Sequence, residues 1–176
     1  TQIKAGTGFA LNEENAKPRE VEISYAGQEI PVIYRDDSYE NPRQKVQIAV
    51  EKLDAEQDEP LAGAVFGLYA AEDIQNWKGK KVVKMGTLIA TAETIVNEAS
   101  EVQKAVFSPD LPLGQYYVKE LKAPMGYSMA EEQIEVDASY RDDQREVIEI
   151  SEAIKNYPVQ VQVNVMDYFT EEELDG

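Results

Sequence analysis

Gln115-Tyr116-Tyr117-Val118-Lys119-Glu120-Leu121-Lys122-Ala123-Pro124-Met125-Gly126-Tyr127 is rich in aromatic and β-branched residues, entered from Pro112 and Gly114 and closed by Pro124 and Gly126. That composition and punctuation predict a strand. Alternate residues of a strand share a face, so Tyr116, Val118 and Glu120 point the same way. If this is the core face it buries a carboxylic acid, which costs on the order of several kcal/mol unless the acid is paired or protonated. What Glu120 faces therefore decides how the remaining strands are read.

Working outward, Lys45–Leu53 alternates cleanly. Val46, Ile48, Val50 and Lys52 share one face, and Gln47, Ala49 and Glu51 the other. Lys52 thus follows three apolar residues on the buried side. Further strands are expected at Arg19–Tyr25, Glu29–Tyr34, Ala64–Tyr69, Val82–Ala92 (interrupted near Gly86) and Lys104–Ser108. Gln133–Ser139 and Arg145–Ile150 read as a hairpin around Arg141-Asp142-Asp143, and Val159–Val165 alternates as a last strand. Ala70–Trp77 could form one or two helical turns, and Thr94–Gln103 a loop or short helix. Many short strands with turn signals between them predict an all-β, antiparallel sandwich or barrel.

The composition narrows the function. The 176 residues carry a formal charge of −17, which argues against nucleic acid and anionic membrane surfaces. Hydrophobic residues make up 43%, so the chain can fold, yet no apolar run is long enough to span a membrane. The chain opens on Thr1 and is read as a fragment of a longer protein. It has neither cysteine nor histidine, which excludes thiol and serine–histidine catalysis and histidine-ligated zinc. No cofactor or metal is expected: the acidic pairs Asp36-Asp37 and Asp142-Asp143 offer too few oxygens for calcium.

An internal repeat sets the domain boundaries. Lys4-Ala5-Gly6-Thr7-Gly8-Phe9-Ala10-Leu11-Asn12-Glu13-Glu14 matches Lys122-Ala123-Pro124-Met125-Gly126-Tyr127-Ser128-Met129-Ala130-Glu131-Glu132, and Ser24-Tyr25 matches Ser139-Tyr140. Sixteen residues beyond each tyrosine stand Asn41 and Asn156. Residues 1–44 then read as the C-terminal half of a preceding repeat, 45–156 as a complete domain, and 157–176 as the start of a following segment. Gln2 takes the place of Glu120 in the first copy, and Val165 or Asp167 stands where a third lysine would fall.

Lys52, Glu120 and Asn156 are the candidate site. First and last strands of a small sandwich are often neighbours, and Ile148, Ile150, Ile154 and Asn156 share a face if a bulge takes up Glu152. In a dry core both charged forms are disfavoured, so a proton can pass from Lys52 to Glu120. The neutral amine is a nucleophile, and the acid can polarise the Asn156 carboxamide and help its nitrogen leave as ammonia. The plainer reading is a buried ion pair, with Asn156 a turn residue before Tyr157-Pro158.

Four segments make a resemblance specific. They are Val50-Glu51-Lys52-Leu53-Asp54-Ala55-Glu56, Pro60-Leu61-Ala62-Gly63-Ala64-Val65-Phe66-Gly67-Leu68-Tyr69, Leu111-Pro112-Leu113-Gly114-Gln115-Tyr116-Tyr117-Val118-Lys119-Glu120 and Ala123-Pro124-Met125-Gly126-Tyr127. In this order they resemble the collagen-adhesin B-type, or SpaA-type (prealbumin-like), domain of Gram-positive surface adhesins and pilins. The resemblance implies an antiparallel, immunoglobulin-like (prealbumin-like) β-sandwich module, extracellular and anchored to the cell wall through its parent protein. It also implies a lysine–asparagine isopeptide bond with a glutamate as catalyst, roles that fall on Lys52, Asn156 and Glu120. A family-like ending would instead place the acceptor at Ser151, before Glu152-Ala153-Ile154-Lys155, where serine cannot form the bond. The repeat favours Asn156.

The expected function is a structural stalk or adhesin module locked by a self-made cross-link, not an enzyme, with neighbouring repeats as partners. The alternative is a binding module for a host glycan or extracellular-matrix protein that holds a plain Lys52–Glu120 pair. Trp77, beside Lys78, Lys80 and Lys81, is its candidate ligand contact, with a loop anchor as the bland role. The aromatic set Phe66, Tyr69, Tyr116, Tyr117 and Tyr127 is expected to pack the core and sheet.

Overall fold

The computed structural model describes residues 1–25, 27, 32, 35–76, 78–107, 110–161 and 163. Trp77, most of the Glu29–Tyr34 run and the tail from residue 164 lie outside them. The elements are α1 (Glu13–Ala16), β1 (Lys45–Asp54), β2 (Val65–Ala70), β3 (Ile74–Gln75), β4 (Lys81–Val83), β5 (Leu88–Glu93), β6 (Ile95–Val96), β7 (Val102–Gln103), β8 (Ala105–Val106), β9 (Gly114–Lys122), β10 (Gln133–Ala138) and β11 (Val147–Asn156).

Two sheets form the sandwich, ordered β11-β1-β8 and β10-β9-β2-β5. All pairings are antiparallel except β1 with β11, which run parallel from Lys45↔Val147 to Asp54↔Asn156. The core lies between the sheets. Val46, Ile48 and Val50 of β1 meet Phe66 and Leu68 of β2 and Tyr116 and Val118 of β9, all fully buried. Burying one such side chain stabilises the fold by about 1.5–3 kcal/mol. The aromatics behave as expected: Phe66 and Tyr116 are interior, and Tyr69 stacks on its cross-strand partner Tyr117 with ring centroids 5.0 Å apart. Gly67 makes room for that stack, because a Cβ there would lie 2.8 Å from the Tyr69 ring.

Several expectations need correction. Gln133–Ser139 and Arg145–Ile150 are not a hairpin, since β10 pairs with β9 in one sheet and β11 with β1 in the other. No bulge takes up Glu152: the β1–β11 register is unbroken, and Glu152 sits half-buried on the inward face. Thr94–Gln103 is a small β6–β7 ribbon, and the Ala70–Trp77 region holds strand β3 paired to β4 rather than a helical turn. Arg19–Tyr25 and the described part of Val159–Val165 have no strand conformation. The helix α1 was not foreseen; it is capped by Asn12, whose side chain accepts from the Glu14 N–H.

The sequence repeat has a structural counterpart. In the first copy Phe9 N–H donates to Gly6 O, Ala10 N–H to Pro42 O, and Gln44 N–H to Gly8 O, at 2.9–3.0 Å. In the second, Tyr127 N–H donates to Pro124 O, Ser128 N–H to Tyr157 O, and Val159 N–H to Gly126 O, at 2.8–3.2 Å. Gly8 and Gly126 both adopt positive φ, 83° and 87°, a conformation that glycine reaches without a Cβ penalty.

Candidate functional site

The alternation of β1 carries Lys52 inward, where it is 1% exposed, and the parallel β11 carries Asn156 inward beside it at 2%. Glu120 comes from the facing sheet: it follows Tyr116 and Val118 on the inward face of β9 and is fully buried. The three residues therefore converge from two strands of one sheet and one of the other. Phe66 is the register partner of Glu120 on β2, and Ile154 that of Lys52 on β11, so apolar neighbours exclude water.

Lys52 Nζ lies 3.2 Å from Glu120 Oε1 with neither side chain exposed. The carboxylate is otherwise fully engaged. Asn156 Nδ2 donates to both of its oxygens at 3.0 Å, and the Ala130 N–H donates to Oε2 at 2.6 Å. Within this trio two buried atoms lack a properly directed hydrogen bond, Lys52 Nζ and Asn156 Oδ1. Leaving a buried polar atom unmatched costs about 1–3 kcal/mol. Burial lowers the Lys52 pKa, the attraction of Glu120 opposing this only in part, so the neutral amine is closer to hand than in water.

A second tier holds the carboxamide in place. The Ala55 N–H donates to the backbone oxygen of Asn156 at 2.9 Å. Asp54, two residues beyond Lys52 on the same face, accepts from the Tyr127 hydroxyl at 2.7 Å and from the Glu56 and Gln57 N–H groups. The Tyr127 hydrogen bond, ahead of the two backbone ones, keeps the Asp54 carboxyl below the usual range. Tyr127 in turn anchors the loop that brings Ala130 to Glu120. Asp54 was legible from period-two spacing. The Ala130 contact is a backbone one and left no side-chain signature.

The expected trio is thus brought together, as an ion pair with the carboxamide nitrogen on the carboxylate. Ser151 is exposed on the outward face, where it accepts from Lys104 Nζ at 3.1 Å, far from any role as acceptor for Lys52. A groove of about 550 Å³ opens beside Asn156 between the Ser128–Glu132 loop and the end of β11.

A family model described as a SpaA prealbumin-like fold domain matches residues 46–154, more than half of the chain. The chain is 34% identical over 94 residues to the trypsin-resistant surface T6 protein of Streptococcus pyogenes serotype M6, an alignment that covers 53% of this chain and 14% of that protein. It therefore spans about one-seventh of the curated relative it matches. Among solved structures, the T6 backbone pilin of serotype M6 aligns at 34% identity and a TM-score of 0.38, covering 54% of this chain and 16% of its own. The group B streptococcus pilus 2b backbone protein aligns at 19% identity and a TM-score of 0.46, covering 82% of this chain and 53% of its own.

Proposed function

The chain belongs to the SpaA family of prealbumin-like domains, and on that premise we propose that it is a load-bearing stalk module in which Lys52 and Asn156 join through an isopeptide bond with Glu120 as proton shuttle. Family membership makes it a structural module of a pilin or adhesin, extracellular and cell-wall-associated, rather than an enzyme. The cross-link, its residues and the tandem arrangement of the parent are the proposed part.

The supporting observation is the pair of unmatched buried atoms. They are the nucleophile and the carbonyl oxygen of the reaction, and one carboxylate contacts both the amine and the amide nitrogen. The Lys52 ammonium gives a proton to Glu120, and the free amine attacks Asn156 Cγ. The Nζ–Cγ bond forms, Glu120 passes its proton to the departing nitrogen, which already faces it at 3.0 Å, the Cγ–Nδ2 bond breaks, and the carboxylate takes up the second proton that Nζ sheds in becoming an amide, so Glu120 ends protonated. One ammonia leaves, and the adjoining groove offers it a path. Placement supplies much of the rate, because amine and carbonyl are fixed by paired strands. Joining β1 to β11 ties the first strand of the domain to its last, so a pull on the ends cannot strip β11 away. Intact mass tests the bond: a chain lighter by one ammonia supports it, and a chain at full calculated mass rejects it.

The second reading keeps the plain pair and makes the module a binder of a host glycan or matrix protein. The ion-pair geometry itself favours it, since Lys52 faces Glu120 at 3.2 Å and the Asn156 amide nitrogen is engaged by the same carboxylate. Full calculated mass together with binding to a glycan or matrix-protein array would establish it.

A further inference from the structure

The first copy of the repeated turn is clamped onto the intact domain. The Ala5 N–H donates to Asp143 Oδ2 at 2.7 Å and the Leu11 N–H to the Asp143 backbone oxygen at 2.8 Å. Gln44, 1% exposed, sends its Nε2 to the backbone oxygens of Asp142 and Arg145 at 2.7 and 2.9 Å. Ala5 and Ala10 are consequently buried, at 4% and 3%.

The second copy has the same backbone but stands open. Ala123 is half-buried where Ala5 is buried, and Ser128 is exposed where Ala10 is buried. Met125, Met129, Tyr157 and Val159 on this face are 97%, 51%, 65% and 59% exposed. The chain beyond it continues the pattern. Val161 and Val163 occupy the positions of Val46 and Ile48, yet they are 83% and 77% exposed where those are fully buried. Such a row of exposed valines suits the first strand of another sandwich.

We propose that the face made by Ala123–Met129 and Tyr157–Val159 is the seat of a second domain of this same kind, gripped by that domain's counterpart of Asp143. The inference rests on the tandem-module reading above and is independent of the cross-link. Val159 stands in the place of Gln44 and cannot make its two side-chain bonds, so this second junction relies on the aspartate and on the apolar cover of Met125, Met129 and Val159. One end of each module carries the acidic loop and the other the glycine turn, so successive modules stack head to tail at a fixed angle.

The test is a tandem chain in which residues 1–159 run directly into residues 45–176, the spacing of Gln44 to Lys45, read by amide hydrogen exchange. Ala123 and Met129 should exchange at least about tenfold more slowly than in the 176-residue chain. Asp143→Ala in the second copy should return Ala123 to its single-chain rate. Equal rates in tandem and single chains would overturn the proposal. So would Ala123 and Met129 already exchanging as slowly as Ala5 and Leu11 in the single chain, because its own tail would then cover the face. Should the Ala variant not fold, small-angle scattering of the unsubstituted tandem decides: one fixed inter-domain distance supports the clamp, and a broad distribution contradicts it. A normal cross-link mass alongside unchanged exchange would reject the junction alone.

Discussion

Asn41 and Asn156 occupy equivalent places beside equivalent turns, but they do different work. Asn41 Oδ1 accepts from the Asn12 N–H and from Asn15 Nδ2, both at 3.3 Å, in a region with no lysine strand. Asn156 instead ends strand β11, paired with Asp54 of β1, and points into a dry core, its amide on Glu120 and Lys52 beyond. Gln2 stands in the first copy where Glu120 stands in the second. Local sequence therefore reproduces the turn, down to three matching hydrogen bonds. The proposed reactivity needs two things that no local segment carries, a third strand and the exclusion of water.

The comparison breaks most sharply at the lysine. Lys52→Met removes the nucleophile of the proposed bond and puts an apolar side chain against the buried Glu120 carboxyl. On the proposed reading it removes a cross-link that closes a loop of about 100 residues, worth roughly 4–5 kcal/mol by analogy with disulfides. The thermal midpoint should fall by more than roughly 20 °C, or the domain should fail to fold. Glu120→Gln is gentler. It keeps an acceptor for Asn156 and the Ala130 N–H but ends proton transfer, so the chain should stay unlinked and its midpoint drop by roughly 10–20 °C. A lowered midpoint with the wild-type chain at full calculated mass would mean that the wild type has only the plain pair.

The two asparagines give the next contrast. Asn156→Ala should match Glu120→Gln in losing the cross-link. Asn41→Ala should leave the main transition within about 0.5 kcal/mol of wild type and speed exchange only at Asn12 and its neighbours. Equal effects from the two would erase the distinction between them.

The smallest effect concerns pH. The Asp54 carboxyl is held below its ordinary value of 3.8, first by the Tyr127 hydroxyl and then by two backbone N–H groups. A depressed folded pKa means that the unfolded chain binds the proton more readily. The stabilisation is therefore complete above the unfolded value and is lost as pH falls through the lower folded one. Thermal midpoints recorded between pH 5 and pH 2 should show this slope, and Tyr127→Phe should flatten it.

Much of this was legible in the chain. The period-two pattern of Lys45–Leu53 and Tyr116–Glu120 places Lys52 and Glu120 on inward faces, because a pleated strand has only two sides. Asn156 was reachable through the repeat rather than through its own surroundings. The β10–β11 hairpin was misread because a turn-rich segment between two strands says nothing of which sheet receives the second; β11 instead finds β1, about 100 residues earlier, in a parallel pairing that only the assembled sandwich specifies. Glu152 suggested a bulge, yet β11 is an edge strand with a groove beside its end, and a half-buried carboxylate is tolerated there. Asp143 reads as a turn residue because its partner, the Ala5 N–H, lies 138 positions away in the chain.

The most direct measurement is the intact mass of the mature chain beside that of its Glu120→Ala variant. A wild-type chain lighter than its sequence by one ammonia, with the variant at full mass, is the predicted result. Both chains at full mass would contradict the cross-link and leave Lys52 and Glu120 as an ion pair alone.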